Sequence, residues 1–257
     1  MTSQRLRILF IVIVFISFNF LRSSWAHVSQ SSWYAYYQPI EDNRAAYHLQ
    51  NALAYMSVNV GDPVQTVKKV RLCLSRPVNP KLYLKQNFQL TEINDLYEGE
   101  YTIYLRHRPA DYAFWGQMIH EVSHLLDPRI HDAYFEGFST LMAEKYLEKE
   151  GLDWQRWSKY FKAGQEPFYG QTYFMMRDIL EAAGDGAMRN FHTFVRPLAD
   201  DKSKYRIDIN RWLKNLPLGT QREVKKIILK YAPEIRRSME REHLDVAFVL
   251  PDGGVSN

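Results

Sequence analysis

Apolar positions recur along this chain with two different periods. Between residues 41 and 56, apolar or small side chains fall at Ala45, Leu49, Ala52, Leu53 and Met56, the spacing of one helical face. Gly61-Asp62-Pro63 closes that helix. The period then shortens. Val67–Leu74 and Lys81–Lys85 read as strands, separated by Pro77 and Pro80. Glu98-Gly99-Glu100 reads as a turn, and Tyr101–Leu105, rich in β-branched and aromatic residues, as the clearest strand. Residues 27–38 are aromatic and polar and predict no element.

The helical period returns at Asp111 and holds to Leu126. Asp111 suits an N-cap, and Asp127-Pro128 ends the helix because a residue before proline avoids helical geometry. A second helix is expected from about Asp132 to Glu150, with Gly151 as its stop. A short aromatic helix follows around Trp154–Lys162. Gly164–Pro167 breaks the pattern, and another helix runs from about Gly170 to Ala183 and stops at Gly184. Met188–Val195 is expected to be helical, as are 208–215 and 220–230. Pro233 is expected to break or restart a last helix that runs to about Arg241, and the tail from Pro251 to be disordered. The architecture predicted is α+β: a small mixed or antiparallel sheet, the Asp111–Leu126 helix beneath it, and a mainly helical C-terminal part over about 152–250.

The chain begins with Arg5 and Arg7, an apolar run from Ile8 through Leu21, and Ser24-Trp25-Ala26. A basic start, a short apolar core and a small-x-small end describe a secretory signal peptide cut after Ala26. That predicts a secreted or periplasmic protein; an uncleaved signal would instead anchor it to the membrane. Residues 27–257 then form one domain. Cys73 is the only cysteine, so no disulfide can form within the chain and the fold must rest on core packing. Its place in the alternating run Val70–Leu74 predicts a small buried apolar role rather than a nucleophile. The net charge of +4 is mild. Lys225, Lys226, Lys230, Arg236 and Arg237 predict a solvated helix face, with a weak attraction to anionic cell-surface material as the alternative. No nucleic-acid-binding module is visible.

The candidate chemistry sits in the helix predicted over Asp111–Leu126. His120-Glu121-Val122-Ser123-His124 is a His-Glu-x-x-His run. Residues four apart on a helix share a face, so both imidazoles can address one Zn2+ ion. Glu121 lies beside that face, placed to take a proton from a metal-activated water. An active zinc site needs a third protein ligand and an open position. Glu136, early on the following helix, is the best candidate, since a short turn through Asp127-Pro128-Arg129 lets the two helices pack antiparallel. Gly137 beside it would permit a close helix contact. His131, Asp127, Asp132 and Glu144 are the other possible third ligands.

His120–His124 followed by Phe135-Glu136-Gly137-Phe138-Ser139 resembles the gluzincin metallopeptidases, over roughly residues 98–195. The resemblance implies a zincin-like fold, with His120, His124 and Glu136 as zinc ligands and Glu121 as catalytic base. It implies that Tyr101–Leu105 is the sheet edge where an extended peptide adds as a strand. It also implies that Tyr169, or secondarily Tyr173, donates a hydrogen bond to the oxyanion. Three features depart from the family. The gap between His124 and Glu136 is shorter than in thermolysin-like enzymes. Thr140 stands where those enzymes carry an aspartate, and would be a weaker hydrogen-bond partner for a ligand histidine. No Gly-x-Met-x-Asn exopeptidase signature precedes the motif. The function expected is an exported zinc-dependent hydrolase cleaving peptides or proteins. The alternative is a catalytically silent relative that binds a peptide, an envelope protein or a polymer.

Overall fold

Tyr101–Leu105 does form a strand, and its five side chains are all buried. In the computed structural model of the chain, which describes residues 30–252, that strand (β4, Glu100–Leu105) lies inside a four-stranded mixed sheet. The remaining strands are β1 (Tyr37–Pro39), β2 (Lys69–Pro77) and β3 (Leu90–Asp95), in the order β1-β2-β4-β3. β4 runs parallel to β2, with Val70 opposite Tyr101, and antiparallel to β3, with Thr91 opposite Ile103. The β3–β4 register shifts between Ile93 and Asp95. The expectation that Tyr101–Leu105 forms the sheet edge is therefore corrected: the edges are β1 and β3, and β3 is the one beside β4. A strand buried on both faces carries apolar residues without alternation, and this one does.

The helices follow the predicted order. α1 spans Asn43–Asn59, and Asp42 caps it by accepting a hydrogen bond from the Ala45 amide at 2.7 Å. α2, the motif helix, spans Tyr112–His124, and from Ala113 to Ser123 only Trp115 escapes full burial. Asp111 stands at its N-cap position, but its carboxylate accepts from the Arg108 amide instead of capping the helix. α3 spans Ala133–Lys149 and is capped by Asp132, which accepts from the Tyr134 amide at 2.8 Å. α4 (Gln155–Lys162) and α5 (Pro167–Ala183) follow. The motif helix packs under β3 and β4 on one side and against α3 on the other; α3 in turn packs on α5. This makes an α+β structure with a small mixed sheet and a mainly helical C-terminal part.

Four expectations fail for identifiable reasons. Lys81–Lys85 is not a strand: Tyr83 is fully exposed, and the run is a loop between β2 and β3. The partner of β4 is instead Leu90–Asp95, a polar segment whose edge position leaves Leu90 in solvent. Met188–Val195 holds only a 3-10 turn, Phe191–Thr193, before β5 (Val195–Pro197) pairs antiparallel with β6 (Tyr205–Ile207). After the five-residue α6 (Ile209–Leu213), the last helix α7 runs unbroken from Leu218 to Glu242 through Pro233. An internal proline costs a helix about 3 kcal/mol. The stripe Val224, Ile228, Ala232 and Ile235 stays buried across it, and α7 packs along α5. Continuous tertiary packing outweighs the local defect. Residues 30–36, for which no element was expected, form a 3-10 helix.

The expected signal peptide, residues 1–26, and most of the expected disordered tail lie outside the described residues. Among the described residues no helix is long and apolar enough to cross a membrane.

Candidate metal centre

One turn of α2 separates His120 from His124, and the two imidazoles meet on the side facing α3. Their Nε2 atoms lie 3.2 Å apart. Glu136, in the first turn of α3, brings Oε2 to 3.2 Å from His120 Nε2 and 3.7 Å from His124 Nε2. Two atoms bound to one tetrahedral zinc at ~2.0–2.1 Å are ~3.3 Å apart. The three ligand atoms thus already hold nearly the mutual spacing an ion requires, and the group could hold a metal ion.

Hydrogen bonding behind the site orients the His120 ring. The Thr140 hydroxyl donates to the Glu136 backbone carbonyl at 2.9 Å, so its one proton is engaged. His120 Nδ1, 3.0 Å from that hydroxyl, must then be the N–H that donates to it. His120 Nε2 is left as a bare lone pair aimed at Glu136 and His124. A lone pair, a carboxylate and a second ring nitrogen converging in a buried space require a positive charge among them. Burial opposes ionisation of Glu136, yet the His124 charge and its hydrogen bond outweigh burial and hold the carboxyl well below the usual range. Burial lowers the His124 pKa, but the Glu136 charge outweighs burial and the net shift is upward. Two rings fix the imidazoles: Tyr169 meets His120 edge-on at 5.9 Å, and Phe135 meets His124 at 5.4 Å.

Glu121, the next residue along α2, reaches toward the sheet. Its carboxylate accepts a hydrogen bond from Thr91 Oγ1 at 2.9 Å, and the same hydroxyl lies 2.8 Å from the Glu121 carbonyl. Thr91 belongs to the edge strand β3. Glu121, His124, Glu136 and Tyr169 line one cavity of about 180 Å3, closed on the sheet side by Gln89, Leu90 and Thr91. Burial, reinforced by the Glu136 and Glu121 charges, pushes the Tyr169 phenol well above its ordinary value, so it is present as an O–H donor.

The other residues weighed for the site are engaged elsewhere or stand apart. Tyr173 donates to Glu144 at 2.6 Å and accepts from Trp154 at 3.2 Å, so both Tyr173 and Glu144 are spent in a buried network. Asp127 is held by the Arg129 guanidinium through two bonds of 2.8 and 2.9 Å. Asp132 is the α3 cap. His131 lines the cavity wall but is not among the grouped ligand atoms. Gly137 permits a close contact, as expected, but with α5: a Cβ there would lie 2.3 Å from the Thr172 carbonyl oxygen. Cys73 is buried, and burial pushes its thiol up to about 11, as suits an inert core residue. Thr91 is the residue that sequence reasoning missed, because it lies on a strand whose pattern is too polar to predict.

No protein-family model, curated protein or solved structure matches the chain.

Proposed function

We propose that the chain is an exported zinc-dependent metallohydrolase of gluzincin type, acting as a peptidase. One observation carries the reading: His120, His124 and Glu136 hold their ligand atoms at tetrahedral spacing, and two of them, His124 and Glu136, line one cavity with Glu121. The donor set of two imidazoles and one carboxylate suits zinc at a site with one position open. The basic-apolar-small pattern of residues 1–26 supports export.

In this reading His120, His124 and Glu136 hold the ion. The zinc supplies Lewis acidity, acidifying water and polarising the substrate carbonyl. Glu121 takes the proton of the attacking water and returns it to the leaving amine. Thr91 fixes the Glu121 carboxylate, and Thr140 fixes the His120 tautomer. Tyr169 donates to the developing oxyanion. The free edge of β3, which borders the cavity through Leu90 and Thr91, receives an extended peptide by strand addition.

The test is metal content followed by turnover. The chain from His27 onward should purify with about one zinc without added metal, by the ligand count of a catalytic site. His120→Ala should lose it. Glu121→Gln should keep the zinc and lose hydrolysis of a peptide library. A folded chain that takes up no zinc on reconstitution would sink the reading; zinc with tight peptide binding and no cleavage would favour the silent binding module.

A further inference from the structure

Behind His120, on the side away from the proposed base, lies a second and smaller cavity of about 20 Å3. It is walled by Trp154, Trp157, Phe161 and Tyr169, with Gln117 from the motif helix. Two of the side chains that line it carry a polar atom with no partner. Gln117 Oε1 and Trp157 Nε1 are both fully buried and make no hydrogen bond. Gln117 is 4% and Trp157 9% exposed. A buried orphan of this kind carries a desolvation cost that a fitting ligand group removes. A Cβ on Gly116 would come 2.3 Å from Trp157 Nε1 and 2.9 Å from the ring carbons on either side of it, so only glycine lets the indole lie this close to the motif helix. The cavity is continuous in its lining with the larger one, since Gln89 and Tyr169 border both. A peptide running along β3 past the metal ligands would therefore place a side chain at its mouth.

We propose that Gln117 and Trp157 form a specificity pocket for a small hydroxyl-bearing side chain, serine, next to the bond that is cut. This rests on the peptidase reading above. The volume sets the size: about 20 Å3 is room for roughly one water-sized group. The two orphans set the chemistry. A hydroxyl has one donor and two acceptor lone pairs on a free rotor, so it can donate to Gln117 Oε1 while accepting from Trp157 Nε1–H. An alanine methyl fits but leaves both atoms unpaired. A carboxylate meets the Gln117 oxygen with no proton to share, and also Glu166 at the rim, which Arg106 already pairs at 3.3 Å. Larger side chains exceed the space unless the aromatic walls move.

The test uses the zinc-loaded full mature chain and matched peptides that differ only by serine or alanine beside the cleaved bond. The expected kcat/KM ratio is roughly tenfold or more in favour of serine. Gln117→Leu and, independently, Trp157→Phe should each bring that ratio close to one. A second readout does not need turnover. In the zinc-free protein, N-acetylserinamide should shift the indole N–H resonance of Trp157, identified by its loss in Trp157→Phe, and N-acetylalaninamide should shift it far less. Cleavage with a serine-to-alanine ratio near one, insensitive to either variant, would overturn the pocket and leave the peptidase reading standing. Absence of zinc and of cleavage, with an indole that still answers to serinamide, would overturn the peptidase reading and keep the Gln117–Trp157 site as a binding pocket. Failure of both readouts would overturn both.

Discussion

Thr140 is the residue through which the metal centre is most open to test. It contacts neither an ion nor a substrate. Its single hydroxyl proton is committed to the Glu136 carbonyl, and this forces His120 to present a lone pair inward. Thr140→Val keeps the shape and removes the acceptor for His120 Nδ1–H. Zinc affinity should fall by about 10- to 100-fold, measured by competition with a chromogenic chelator. Thr91 plays the matching part for Glu121. Thr91→Val should leave zinc affinity unchanged and lower kcat, as expected when a base loses its orientation; Glu121→Gln should lower kcat by about 100-fold or more. Asp132 offers a prediction of a different sort. Its carboxyl is fully buried, with Oδ2 unpartnered, and burial raises its pKa from 3.8 to about 7 although the Tyr134 amide partly offsets this. The folded protein then binds a proton that the unfolded chain releases above about pH 4. Stability of the zinc-free protein should therefore fall as pH rises from about 4 to 7. Asp132→Asn, which still caps α3, should flatten that part of the Tm-against-pH curve.

At the scale of elements, the ligand helix is fixed by its contact with α5. Gly137 sits against the Thr172 carbonyl, so Gly137→Ala must push the two helices apart or strain them. It should cost about 1–3 kcal/mol in chemical denaturation and weaken zinc binding, because Glu136 is the adjacent residue. The elements that were legible in sequence are those whose burial is one-sided or complete. The motif helix, α3 and β4 carry enough apolar residues in one period to be read directly, and His120, His124 and Glu136 come together where spacing and a short turn put them. What was not legible depends on neighbours distant in sequence. Leu90–Asp95 is a strand because β4 offers it a ladder, not because its own pattern is apolar. Lys81–Lys85 looks like a strand but finds no partner. Pro233 stays helical because α5 runs alongside. Thr91, Gln117 and Trp157 carry no local signal at all; their roles arise only from what the fold sets opposite them.

Across the whole molecule, the centre joins two parts of the chain that have no covalent tie beyond the backbone. The lone cysteine forms no disulfide, and the residues that could hold a metal ion come from two helices that pack between the sheet and α5. An ion bound there favours the folded state by mass action, by about 4 kcal/mol at a thousandfold excess over its Kd. Chelation should lower the Tm of the wild-type chain by several degrees and leave that of His124→Ala unmoved, as read by differential scanning calorimetry.

The kink in the outermost ladder has a consequence for how the chain can fail. Side chains on a strand alternate between faces, so a slip of one residue turns every one of them over. The offset between Ile93 and Asp95 acts as a ratchet tooth that forbids such a slip. Without it, the hydroxyl of Thr91 would swing out to solvent and Leu90 would turn in toward Glu121, in a protein that still looked folded to a spectrometer. Alignment of one short strand thereby decides whether Glu121 keeps the partner that orients it, and lengthening the Tyr97–Gly99 turn by one residue is the change expected to upset it.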